Sequence, residues 1–208
     1  MKVDHFILGV PDLDVATKKF ANLSGINPVF GGTHPTLSTH NALVSLGDCY
    51  LELIAAVPGK TPGIERLNGI TAPRLIGWAI EYFNTEEVRS VFNGHGINLS
   101  TPSFGSRVQP NGIKVGYEYM DVEGLAELGC PVVPFLVRWI SSTHPSVSSP
   151  VGCSLVEFSM KHPKSEIFDK LLKEMNMEIK HIDGNQSDLK IVVETPRSRM
   201  VLPADMEK

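Results

Sequence analysis

One order of elements, strand–helix–strand–strand–strand, is written repeatedly along this chain of 208 residues, and no other feature limits its fold as much. Residues 2–10, KVDHFILGV, alternate as a strand does, with Val3, His5 and Ile7 on one face and Phe6, Leu8 and Val10 on the other. Pro11 and Asp12 then open a helix on which Leu13, Ala16, Phe20 and Leu23 recur at helical spacing, and Gly25 suits its C-terminal cap. After it come a short strand at Asn27–Phe30, a Gly31-Gly32 turn, a strand at Asn41–Leu46, a Gly47-Asp48 turn and a strand at Cys49–Ala55.

The second copy starts at Arg74–Tyr82, continues through a helix at Thr85–Phe92, and adds strands at Gly112–Tyr119 and Val132–Trp139. The tripeptide GIN follows the helix both times, at Gly25–Asn27 and Gly96–Asn98. A shorter third copy opens at Cys153, with Pro163 lying on Pro11 and Leu172 on Phe20, and reaches strands at Leu189–Glu194 and Arg199–Leu202. The stretches Pro58–Pro73 and Ser141–Pro150 are rich in Pro, Gly, Ser and Thr and read as linkers. The units are therefore 1–57, 73–140 and a partial one at 153–203. The fold class is α+β: repeated βαβββ modules, two full and one partial, forming curved mixed sheets around a cleft.

Charge removes several function classes. A formal net charge of −4 with scattered Lys and Arg gives no footprint for nucleic acid. No stretch is apolar and long enough to span a bilayer, and the N-terminus does not read as a signal peptide, so the chain reads as cytoplasmic with no membrane partner. Cys49, Cys130 and Cys153 lack paired ligand spacing and read as buried reduced thiols. There is no G-x-S-x-G elbow, no G-x-G-x-x-G and no G-K-[S/T], which leaves Gly31-Gly32 as a strand turn.

Two residues break the apolar strands. His5 and Glu52 are the lone ionisable groups at the centres of theirs, and a buried carboxylate needs a partner. That partner is a metal ion, a basic side chain or water at the sheet face. A histidine on a sheet face is often simply satisfied by neighbours, and His34 and His40 in their Gly/Thr/Ser/Pro-rich connection read equally as exposed loop residues. His144 sits in a Ser/Thr-Pro turn, and His95, His162 and His181 read as surface residues.

On "DHFILGVPDLDVA" at 4–16, "GGTHPTLSTHNALVSLGDCYLELIA" at 31–55 and "PFLVRW…HPS" at 134–146, the chain resembles the vicinal oxygen chelate superfamily, and within it the glyoxalase-like branch. The resemblance implies paired βαβββ modules around a cleft that holds a small oxygenated molecule and, in many members, a divalent metal. It places metal ligands on the first and last strands of each module, which here are His5 and Glu52; in an enzyme of this kind Glu52 or a bound water would move the proton. Imidazole plus carboxylate suits Zn, Ni, Mn or Fe. In the second module Trp78 stands at the place of His5, and Val137 or Arg138 at that of the second carboxylate, so a four-ligand set is incomplete. His34, His40, His144 or another chain could complete it, and a homodimer is expected by analogy with relatives.

Two functions stay open on the sequence. One is a metal-dependent isomerase, lyase or dioxygenase-type enzyme acting on a small oxygenated metabolite. The other is a metal-free binder of a small anionic ligand, with His34, His40, Asn41, Arg138 and His144 as contacts, Trp78 as a wall, and Arg138 available to pair with Glu52.

Overall fold

The computed structural model describes residues 1–125, 128–140, 143–163 and 165–207. The first unit runs β1 (Lys2–Gly9), α1 (Leu13–Ser24), β2 (Val29–His34), β3 (Thr39–Ser45) and β4 (Tyr50–Ala56). Asp12 caps α1 by accepting from the Val15 N–H, and Gly25 ends it at φ 81, a left-handed conformation that costs glycine little. β1 runs parallel to β4, and β4, β3 and β2 follow antiparallel.

The second unit repeats that wiring with β5 (Arg74–Glu81), α2 (Thr85–Gly94), β6 (Asn98–Leu99), β7 (Ser103–Val108), β8 (Lys114–Glu123) and β9 (Phe135–Trp139). β5 runs parallel to β9, and β9, β8 and β7 follow antiparallel. The units join at β1–β5 and at the single pair Thr33–Val108 between β2 and β7. All strands of this nine-stranded sheet except β6 thus form a closed ring within one chain, in the order β8-β7-β2-β3-β4-β1-β5-β9.

The third unit follows a short helix α3 (Pro145–Ser148) and consists of β10 (Ser154–His162), α4 (Glu166–Glu174), β11 (Lys180–Asp183), β12 (Asp188–Glu194) and β13 (Arg199–Leu202), then α5 (Ala204–Glu207). Its elements keep the expected order but not the pairing. β10 runs parallel to β11, the strand straight after the helix, and the sheet reads β11-β10-β12-β13. This sheet covers the outside of the ring: Phe158 packs edge-on against Phe6 and Trp78 at 4.7 and 5.1 Å. Of the expected second linker, Ser141 and Ser142 lie outside the described residues.

Strand alternation sorts side chains between the two faces of the ring. Phe6, Leu8, Leu51, Leu53, Trp78 and Ile80 face outward into one core with Leu13 and Phe20 of α1 and with the second sheet. Ile7, Ile54 and Ile76 face inward with Leu67. Each fully buried aromatic or leucine on the outer face contributes about 1.5–3 kcal/mol.

The register between the two modules corrects the sequence alignment by one residue. Phe6 opposes Trp78, and the register shifts at Asp4 on β1 and at Ile76 on β5, two residues before each aromatic. Phe6 therefore corresponds to Trp78, and His5 to Gly77. Because a one-residue slip moves a side chain to the opposite face, Trp78 points away from the interior. Its ring is fully buried and its Nε1–H donates to the Val132 carbonyl at 2.7 Å.

Two further expectations change. Gly31-Gly32 is a bulge inside β2, not a turn: Phe30 opposes Ala42 and Gly32 opposes Asn41, leaving Gly31 unpaired. Gly32 has φ 135, and a Cβ there would collide with the Val108 carbonyl of β7. His162 is buried at the end of β10 rather than exposed.

Candidate functional site

Inside the ring, β1 and β4 bring His5 and Glu52 face to face, with His5 Nε2 3.7 Å from Glu52 Oε2. The other ring nitrogen is fixed from behind: His5 Nδ1 lies 2.5 Å from Asp4 Oδ1. Asp4 is completely buried at the β1 bulge, which turns its side chain beside that of His5. Its second oxygen accepts from Trp139 Nε1 and from His144 Nε2, both at 3.0 Å.

The protonation of both rings follows from these partners. The Ser146 N–H donates to His144 Nδ1, so the Nε2 of His144 carries the proton given to Asp4. Burial alone pushes the Asp4 carboxyl up, but the hydrogen bonds from His144 and His5 outweigh it and hold the group well below the usual carboxylate range. An ionised Asp4 only accepts, so His5 donates through Nδ1 and presents Nε2 towards Glu52. The ring is held in place by stacking on Tyr50, 4.7 Å between centroids, and by the edge of Phe135 at 5.5 Å.

Glu52 is 7 % exposed. Asn41 Nδ2 donates to its Oε1 at 2.5 Å, which leaves Oε2 as the oxygen facing His5. His34 lies on the same inner face at the end of β2, paired to Thr39 Oγ1 at 3.1 Å. Burial lowers the His34 pKa, with Arg107 and His5 adding to the shift and Glu52 opposing it, so this ring stays neutral. Burial, with Asp4 and Glu52 nearby, pushes Tyr50 well up; burial and Glu52 do the same to Tyr117, so both phenols stay protonated.

Of the residues singled out in the sequence, His5, Glu52, His34 and Asn41 thus converge, and His144 joins them through Asp4. Three do not. Arg138 follows Val137 and precedes the inward Trp139, so it points outward, where its Nη2 pairs with Glu118 Oε2 at 3.0 Å and its guanidinium lies over the Tyr82 ring. It cannot answer Glu52. His40 opposes Thr33 on the outer face of β3 and meets Phe30 edge-on at 6.3 Å. Trp78 is bolted between the ring and the second sheet.

The place of Glu52 in the second module is also neither Val137 nor Arg138. Ile7 pairs with Glu52, and its counterpart Ala79 pairs with Phe135. The second half therefore presents Gly77 and Phe135, which carry no donor, where the first presents His5 and Glu52.

Asp4, Trp139, Tyr117 and Arg107 belong to the site and were not singled out from the sequence. Asp4 carried a signal, an acid beside a mid-strand histidine. Arg107 lies on β7, whose inner face of Ser103, Gly105 and Arg107 has no apolar alternation to reveal it.

Among the described residues, Asp4, Glu81 and His144 also offer ligand atoms within 4.8 Å of one another. Asp4 and His144 are committed to each other, and Glu81 Oε2 is 3.2 Å from Lys2 Nζ, an ion pair made off the hydrogen-bonding angle. A separate surface cavity of about 580 Å³, lined by Lys2, Val3, Leu155, Glu157 and Lys180 among others, shares none of the His5–Glu52 constellation. The thiols take no part: burial pushes Cys49 up to about 12 and Cys153 up to about 11, while Cys130 is exposed, contrary to expectation.

A family model described as a glyoxalase-like domain matches residues 3–175. The chain belongs to that family. No curated protein matches the sequence. Among solved structures, a hypothetical protein from Staphylococcus aureus is similar at a TM-score of 0.66 and 15% identity, covering 96% of this chain and 84% of that one. Methylmalonyl-CoA epimerase from Mycobacterium tuberculosis aligns at 0.49 and 17%, over 67% of this glyoxalase-like chain and 89% of its own. The Streptomyces coelicolor epimerase, in complex with 2-nitronate-propionyl-CoA, aligns at 0.49 and 13%, over 68% and 99%. Among the described residues no helix is long and apolar enough to cross a membrane.

Proposed function

We propose that this glyoxalase-like protein is an enzyme that moves a proton on a small molecule carrying vicinal oxygens, with His5 and Glu52 holding a divalent ion. One observation carries the reading. His5 Nε2 and Glu52 Oε2 face each other at 3.7 Å, while Asp4 holds the other ring nitrogen and Asn41 the other carboxylate oxygen, so each presents its remaining ligand atom to the same point. The separation exceeds a hydrogen bond, and these are the two residue types that would hold a divalent ion.

The donor set fits such an ion. Imidazole and carboxylate suit Zn, Ni, Mn or Fe, and the Asp4–His5 hydrogen bond is the support that metal-binding histidines ordinarily have. When bound, the ion polarises a substrate oxygen and makes the adjacent proton more acidic. Asn41 fixes Glu52 Oε1 and turns Oε2 to the site, where it would hold the ion and, on leaving it for the substrate, would accept and return that proton. The protonated Tyr50 and Tyr117 are donors rather than bases, and Phe135 against His5 and Trp139 against Tyr117 line the site with aromatic surface. With Gly77 and Phe135 opposite, the substrate rather than a second pair of protein ligands meets that side of the site.

The test is elemental analysis after incubation with Zn, Ni, Mn or Fe(II) and desalting. Wild type should retain one ion per chain and His5→Ala and Glu52→Ala none. A wild type that retains no ion under any loading refutes the metal reading.

A further inference from the structure

Opposite the His5–Glu52 pair lies an arginine that no carboxylate among the described residues pairs with. Arg107 is 5 % exposed, its Nε has no acceptor, and among the described residues no carboxylate lies within ion-pair distance of it. A guanidinium stays charged at every relevant pH, and leaving it buried without a counter-ion costs several kcal/mol. Arg107 points into the ring: it opposes Val115 on β8 and contributes to the electrostatics of His34, Tyr50 and Tyr117.

A second orphan stands beside it. Asn41 gives its Nδ2–H to Glu52, so its Oδ1 is an acceptor, and that oxygen has no donor. The reverse amide orientation would set Asn41 oxygen against Glu52 oxygen, so the assignment is firm. Arg107 Nη1 and Asn41 Oδ1 each lie 2.5 Å from the point where a Cβ on Gly31 would stand, so both groups occupy space that this glycine leaves open. One edge of a guanidinium that lacks a counter-ion, its Nη1, and the unfilled acceptor Asn41 Oδ1 thus converge beside Gly31, and Asn41 links them to Glu52.

We infer that Arg107 and Asn41 form a carboxylate subsite, so that the substrate is a small 2-hydroxy or enolisable 2-oxo acid with its carboxylate on Arg107. The hydroxyl, or the hydroxyl of the enol, donates to Asn41 Oδ1. A single guanidinium matches one negative charge. A dianionic phosphate would add a second charge beside Asp4 and Glu52, which favours the carboxylate. The inference rests on the proposed function for its reactive end but not for its binding end, and the two can fail separately.

Calorimetric titration of the full chain, metal-free and Zn-loaded, compares lactate with neutral 1,2-propanediol and with inorganic phosphate. Lactate should bind at least about tenfold more tightly than the diol, the size of one charge-assisted pairing, and more tightly than phosphate. Arg107→Met should lose about that factor for lactate while retaining one Zn per chain, and Arg107→Lys should recover part of it. Glu52→Ala should lose Zn yet still bind lactate. Lactate binding that is unchanged in Arg107→Met, or equal for the diol or phosphate, overturns the subsite whatever the metal result. Independently of any variant, the Arg107 Nε–H resonance of the wild type should move with lactate and stay still with the diol, and a resonance that ignores lactate also overturns it.

Discussion

Replacing Asp4 by Asn tests the electrostatic centre of the site with almost no change of shape. The wild-type carboxylate accepts from His5, Trp139 and His144 while fully buried. An amide offers one acceptor oxygen, and its NH₂ must face one of the three donors. One charge-assisted bond is lost, worth about 1.5–3 kcal/mol, and one donor is left unsatisfied at about 1–3 kcal/mol, so a loss of about 3 kcal/mol is expected. At a urea m-value of about 2 kcal/mol/M, that moves the unfolding midpoint down by about 1.5 M. The sign of the pH dependence follows from the lowered carboxyl: its stabilisation is full above the ordinary value of 3.8 and is lost as pH falls towards the depressed one. The gap between wild type and Asp4→Asn should therefore be constant from pH 5 to 8 and narrow below about pH 4. The same change releases His5 from its fixed tautomer, which should weaken metal retention about 10–100-fold. A variant within about 0.5 kcal/mol of wild type at pH 7, or a deficit undiminished at pH 3, would refute the reasoning.

Gly77 occupies the position of His5 in the second module, and a Cβ there meets only the far end of Arg66 at 3.0 Å and Ile7 at 3.8 Å. Gly77→His should therefore fold and add a donor to the site, seen as slower loss of the bound ion to a chelator; an unchanged loss rate in a folded variant would show the dyad correspondence to be wrong. Arg138→Ala should leave ligand and metal binding unaltered, because Arg138 serves Glu118 on the outer face. Its side chain is 39% exposed, so the stability cost measured by urea unfolding should be about 1 kcal/mol or less. A loss of ligand affinity in this variant would return Arg138 to the site.

Much of the fold was legible because binary patterning is local. Alternation in β1 and β4, the helical spacing of Leu13, Ala16 and Phe20, and the caps at Asp12 and Gly25 each depend on residues a few positions apart. His5 and Glu52 stood out for the same reason, as ionisable groups in apolar strands. β7 was missed, and Arg107 with it, because SFGSRV has no apolar face to read: Gly105 is there so that the Tyr117 ring can lie over it. Arg138 and Trp78 were misplaced because a strand's two faces differ by one residue, and which residue of one module answers which of the other is set by the strand register.

The sequence alone determined the repeat, the elements that open and close each unit, and the two residues at the centre of the candidate site, since these follow from spacing along the chain. Only the tertiary structure decided which strands pair in the third unit, which face each charged residue takes, and which partners it meets. Asp4 becomes the support of His5 through Trp139 and His144, more than 130 residues away, and Glu52 answers to Asn41 rather than Arg138. Those outcomes depend on register and ring closure, where a shift of a single residue exchanges the inside for the outside.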